Sequence, residues 1–128
     1  MRRGLLLFAH GARDVRWAAP FADVAQRVRA AGPDLAVELA FLEFMSPGLV
    51  EAGRRLAEAG CTMVDVLPLF LGAGGHVRAD VPRLLGQLAA AHPATHWRLH
   101  GPIGEAEAVL AAMATEALRA LATPDDGQ

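Results

Sequence analysis

The chain has 128 residues, 53% of them hydrophobic, and 12 Lys and Arg against 14 Asp and Glu give a net charge of −2. That length suits one domain burying about two thirds of its unfolded surface, and the charge balance argues against a general nucleic-acid binder. The lone cysteine, Cys61, excludes a disulfide framework; the apolar stretch 5–9 after the basic start is too short for a signal sequence or a membrane span, so a cytoplasmic protein is expected.

Taken in order, residues 5–9 read as a short apolar strand that ends at His10-Gly11-Ala12-Arg13-Asp14. Phe21, Val24, Ala25 and Val28 then share one face at 3.6-residue spacing, which predicts a helix starting just before Pro20 and stopped by Gly32-Pro33. Residues 34–42 are a second strand, ending at Glu43-Phe44-Met45. Ser46-Pro47 predicts a helix start, hydroxyl as cap and proline at the first helical position, with Leu49, Gly53 and Leu56 facing inward as far as Gly60.

The apolar run 63–71 shows no alternation and so reads as a strand buried on both faces. It runs straight into Gly72, Gly74 and Gly75, which allow a sharp turn and close approach of a ligand to bare backbone, and then His76. Asp80 predicts the cap of a third helix, with Pro82 in its first turn and Leu84, Leu85 and Leu88 on its face. His92-Pro93 closes it. Residues 95–100 are a fourth strand, followed by Gly101-Pro102-Ile103-Gly104. An amphipathic helix carrying Val109, Leu110, Met113, Ala117 and Leu118 completes a single domain over residues 1–122, and 123–128 reads as a frayed tail.

The order βαβαβαβα predicts an α/β fold. It is a three-layer sandwich with a four-stranded parallel sheet, right-handed crossovers and helices on both faces, in flavodoxin-like order with the first strand central. Ligands bind such sheets beyond the C-terminal ends of the strands. His10, Glu43 and His76 each follow one of three successive strands. Adjacent strand ends lie about 4.8 Å apart, so the three could surround one ion. Two imidazoles and a carboxylate suit a divalent first-row transition metal, and three ligands leave the ion open positions.

Taken singly, each of these residues reads more simply. A histidine at a strand end is ordinarily polar surface, and Glu43 could be a solvated carboxylate. It is their equivalent placement after three strands that argues for a site. His92, in a last helical turn, suits the helix dipole. His96 reads as structural, and His100 as a residue lining the same edge. Arg13, Arg16 and Arg78 flank the two histidines, where guanidinium groups would pair with carboxylates of an anionic ligand.

At these residues the chain resembles a known family. The segments Phe8-Ala9-His10-Gly11-Ala12-Arg13-Asp14, Ala40-Phe41-Leu42-Glu43 and Val66-Leu67-Pro68-Leu69-Phe70-Leu71-Gly72-Ala73-Gly74-Gly75-His76-Val77-Arg78-Ala79-Asp80-Val81-Pro82 are similar to those of the small class II sirohydrochlorin chelatases, the short cobaltochelatases and their ferrochelatase relatives. The likeness runs over about residues 4–121. Ala12 stands where many members have serine, and the end of the fourth strand matches only loosely.

The resemblance implies a chelatase-like fold and insertion of Co²⁺, or Fe²⁺, into sirohydrochlorin on the route to cobalamin or sirohaem. It implies His10 and His76 as catalytic and metal-binding, Glu43 as the accompanying metal-binding carboxylate, and a homodimer, since larger members hold two such halves in one chain. Arg13, Arg78, Gly74 and Gly75 are the expected substrate-binding residues. No cofactor is expected beyond the substrate metal ion, and no nucleic-acid or membrane partner. A non-catalytic carrier of metal or tetrapyrrole would use the same ligands. A histidine phosphatase would want an arginine where Ala9 stands.

Overall fold

The computed structural model describes residues 2–72 and 74–125. Four parallel strands, β1 (Arg2–Ala9), β2 (Ala36–Phe41), β3 (Cys61–Pro68) and β4 (His96–Leu99), form one sheet in the order β2-β1-β3-β4. β1 is central, in the flavodoxin-like order expected. Its residues Leu6, Leu7, Phe8 and Ala9 are all buried because both faces of the strand are covered.

The crossovers are α1 (Ala19–Ala31), α2 (Leu49–Glu58) and α3 (Gly75–Ala91), and α4 (Glu107–Leu121) ends the fold. α2 and α3 pack on one face. There Leu6, Phe8, Val64, Val66 and Phe70 of the sheet side meet Leu56 of α2 and Val77, Val81 and Leu88 of α3. A Cβ at Gly53 would lie 2.6 Å from Leu88 Cδ1, so glycine is what lets these two helices close on each other. α1 covers the other face through Ala25 and Val28, against Leu5, Leu7, Val37 and Leu39. α4 buries none of its residues. Leu110, Met113, Leu118 and Leu121 stay between 41% and 82% exposed.

Two helix starts differ from the sequence expectation. α2 begins at Leu49 rather than at Ser46-Pro47. The Pro47 carbonyl accepts from Phe41 N–H (2.9 Å) and Gly48 bridges Phe41, so this segment lies along β2 before the helix begins. α3 begins at Gly75, with Gly74 as its cap, so Asp80 is no cap and Pro82 lies inside the helix. Proline there removes one backbone donor in the second turn. The Gly74 carbonyl already accepts from Arg78 N–H (3.0 Å), which closes the first turn ahead of it.

Candidate functional site

The first two expected site residues are brought together by main chain. The β1–β2 ladder continues past both strands: Leu42 N–H donates to Ala9 carbonyl (2.9 Å) and Glu43 N–H to His10 carbonyl (3.0 Å). His10 and Glu43 are thus neighbours across a rung. Gly11 makes this approach possible. It has φ +93°, and a Cβ there would sit 1.9 Å from the Glu43 carbonyl oxygen, so no side chain fits. The exposed His10 ring stacks on buried Phe70, centroids 4.1 Å apart, and Phe70 leans in turn on Phe8 at 5.7 Å. A packed aromatic column therefore sets the height of the imidazole. Glu43 is exposed beside it.

His76 stands in the first turn of α3, not on a glycine loop, and its side chain lies outside the described part of the structure. Cβ atoms at Gly72, Gly74 or Gly75 would meet nothing within 4 Å, and none of the three has positive φ. Packing inside this chain does not demand glycine there. The backbone enters α3 from the extended Gly74 rather than through a sharp turn. Among the described residues no three His, Cys, Asp or Glu side chains are grouped closely enough to hold an ion, and that description does not include the His76 side chain.

The arginines divide. Asp14 takes Arg16, pairing with its guanidinium (2.8 Å) and accepting from its N–H (2.9 Å), which caps the 3-10 turn Val15–Ala18. These hydrogen bonds hold the Asp14 carboxyl below its ordinary range. Arg13 instead lies over the Phe44 ring, 4.9 Å from its centroid. Arg78 is exposed and borders a cleft of about 490 Å³ with Phe70, Val77, Val81, Leu99 and His100. The apolar floor of that cleft is continuous with the support of His10, because Phe70 belongs to both.

One buried carboxylate was not anticipated. Asp65, 8% exposed within the apolar run, accepts from Arg3 (2.7 Å), from Arg98 and from His100 Nε2 (2.8 Å). Burial opposes its ionisation, but the hydrogen bonds from Arg98, His100 and Arg3 outweigh that and hold the carboxyl well below its usual range. Its signal in the sequence is a lone carboxylate inside residues 63–71. His100 accordingly turns to Asp65 while its backbone borders the cleft (N–H to Val66 carbonyl, 2.9 Å). His92 caps the far end of α3, 6.4 Å between centroids from Trp97. His96 is exposed on β4.

The CbiX family model matches residues 4–120, nearly the whole chain and the full sheet with its paired strand ends. The chain belongs to the CbiX family. Among curated members it is 35% identical over 88 residues to a sirohydrochlorin cobaltochelatase of Sulfurisphaera tokodaii, covering 66% of this chain and 69% of that protein. To the enzyme of the same name in Methanopyrus kandleri it is 33% identical over 82 residues, 64% of this chain and 57% of the other. The aligned part thus spans between about half and two thirds of those relatives. A CbiX protein of Marinobacter aquaeolei VT8, named for cobalamin (vitamin B12) biosynthesis, superposes with a TM-score of 0.80 at 33% identity, over 93% of this chain and 97% of that one. The fold is also that of the sirohydrochlorin chelatase SirB of Bacillus subtilis, solved with cobalt: TM-score 0.81, 24% identity, 93% of this chain and 51% of SirB.

Proposed function

We propose that this protein is a sirohydrochlorin chelatase, inserting a divalent metal, Co²⁺ with Fe²⁺ as the competing ion, into sirohydrochlorin in cobalamin or sirohaem biosynthesis. The observation that carries this reading is the backbone-locked pair His10 and Glu43 over Phe70, at the C-terminal sheet edge of a CbiX family chain. The catalytic unit is the single α/β domain of residues 1–122.

Insertion removes two pyrrole N–H protons and passes the ion from protein to macrocycle. Neutral imidazole near pH 7 either takes a proton or lends a lone pair to the metal. His10 and His76 take these roles, and Glu43 adds the negative charge that favours a dication. His10 and Glu43 are exposed at the sheet edge, which suits an ion that must leave again. Arg13 and Arg78 hold the carboxylates of the macrocycle. The first turn of α3, with no side chain on Gly74 or Gly75, leaves backbone N–H groups bare at the positive end of the helix, where a carboxylate is favoured. The metal is a substrate, and the chemistry needs no further cofactor.

The reading includes a cytoplasmic homodimer. Among the described residues no helix is long and apolar enough to cross a membrane. α4 carries an exposed apolar stripe and packs mainly on the short 3-10 turn that precedes it, and SirB is about twice as long as the part this chain matches. A second copy covering α4 accounts for both. Turnover is the test: purified protein at catalytic concentration, mixed with Co²⁺ and sirohydrochlorin, should convert the free macrocycle spectrum to that of the metallated product over many equivalents. Conversion that stops at one equivalent would make the protein a carrier instead.

A further inference from the structure

Two large apolar side chains stand in solvent at the catalytic rim, and rigid backbone holds both there. Phe44 is 57% exposed and Leu71 70% exposed. Phe44 follows β2 and Leu71 follows β3, so in the order β2-β1-β3 they fall on either side of the end of β1, where His10 stands. Phe44 is the one residue other than glycine with positive φ (66°) among the described residues. A bulky aromatic in the left-handed region is a genuine outlier, and such conformations persist where the surroundings impose them. The Gly11 backbone lies tight against the Glu43 carbonyl just before Phe44. On the other side, the Leu71 backbone is pinned by Gly104. Gly104 N–H donates to Phe70 carbonyl (2.9 Å), and a Cβ on Gly104 would lie 2.1 Å from the Leu71 carbonyl oxygen. A strained aromatic and an aliphatic side chain are thus kept out of the core, although each would gain by burial.

We propose that Phe44 and Leu71 are the two jaws of an apolar clamp that grips the flat conjugated ring of the substrate on either side of His10, and that Arg13, seated over the Phe44 ring, reaches a peripheral carboxylate of the same ring. This rests on the chelatase reading and names the residues that give the macrocycle its affinity. The clamp binds the ring without joining the chemistry. It turns apolar surface to the faces of the ring while the charged groups meet its rim, the arrangement that a flat ring bearing carboxylates requires.

The experiment is titration of metal-free sirohydrochlorin with native protein and variants, followed by the absorption of the macrocycle itself, with thermal melting alongside. Phe44→Gly should weaken binding on the order of ten- to hundredfold, the scale of ring-on-ring stacking. It should melt no lower than the native chain, because glycine adopts the left-handed conformation freely. Phe44→Trp should stay within about threefold of native, Leu71→Ser should weaken binding several-fold, and Val24→Ser, which removes an exposed apolar group from α1, should bind as the native chain does. If native protein binds while Phe44→Gly and Leu71→Ser bind equally well, the clamp is wrong and the chelatase reading stands. If Phe44→Gly binds weakly but also melts lower, Phe44 is structural and the clamp is again wrong. If native protein fails to bind the macrocycle, both readings fall.

Discussion

The two faces of the sheet are built differently. Under α2 and α3 the contact is dense: Leu56 and Leu88 are at most 2% exposed, and Gly53 gives up its side chain so that Leu88 can enter. On the opposite face α1 buries only Ala25 completely, and α4, at the end of the chain, buries nothing. The polar cluster of Asp65 with Arg3, Arg98 and His100 belongs to the thinly covered face, since its strand neighbours Val64 and Val66 point to the other. The α2–α3 face therefore carries the larger share of the buried core. What is left exposed is the rim at the strand ends and the apolar stripe of α4. Removing apolar surface should be costly under α2 and α3 and nearly free on exposed α4.

The largest effect expected is on rate. His10→Ala should lower metal insertion by about 10²–10⁴-fold, as loss of a single acid–base group does. Its melting temperature should stay near native, because the ring lies on Phe70 from outside and is exposed. His92→Ala, at the far end of α3, should keep the native rate in the same assay.

Leu88→Ala should show the reverse. It empties the contact with Gly53 and should cost about 2–5 kcal/mol in urea unfolding, with little change in rate for the fraction still folded. Asp65→Asn should cost about 1–3 kcal/mol, because it leaves Arg3 and Arg98 without their carboxylate. This term depends on pH in a definite direction. The folded carboxyl is depressed, so its contribution is full above about pH 5 and declines as pH falls below about 4 toward the folded value. Asp65→Asn should lack that part of the acid slope, which unfolding at several pH values would show.

The smallest effect on the folded chain belongs to α4. Leu110→Lys with Met113→Lys should change domain stability by no more than about 0.5 kcal/mol per site, since neither side chain is buried. If two copies pair through α4 as proposed, sedimentation should nonetheless shift from dimer to monomer. Unchanged sedimentation would place the interface elsewhere.

Much of this was legible in residue order. The largely apolar run 63–71 and the alternation of elements point to the parallel sheet, flavodoxin-like order puts β1 at its centre, and positions after successive strands pick out His10 and Glu43 as neighbours. What stayed hidden depends on partners far away in sequence. Ser46-Pro47 has the composition of a helix start, yet Phe41 N–H claims the Pro47 carbonyl. Pro82 looks like a first-turn residue, but the helix can begin seven positions earlier at Gly75 because its first turn closes without the missing N–H. Nothing local in Phe44 announces its left-handed backbone, which arises where Gly11 of another strand end closes on the preceding Glu43 carbonyl. Asp65 reads as a blemish in an apolar run until β1 and β4 bring their arginines to it.

The segment through Pro47 and Gly48 has one more effect. By accepting from Phe41 N–H and bridging it, this segment occupies the outer hydrogen-bonding side of β2 at its end. At the opposite border β4 is only four residues long and bears His96 and Arg98. Short, charged or capped borders are how sheets avoid recruiting foreign strands. Both borders of the sheet are thus poor templates for a further strand.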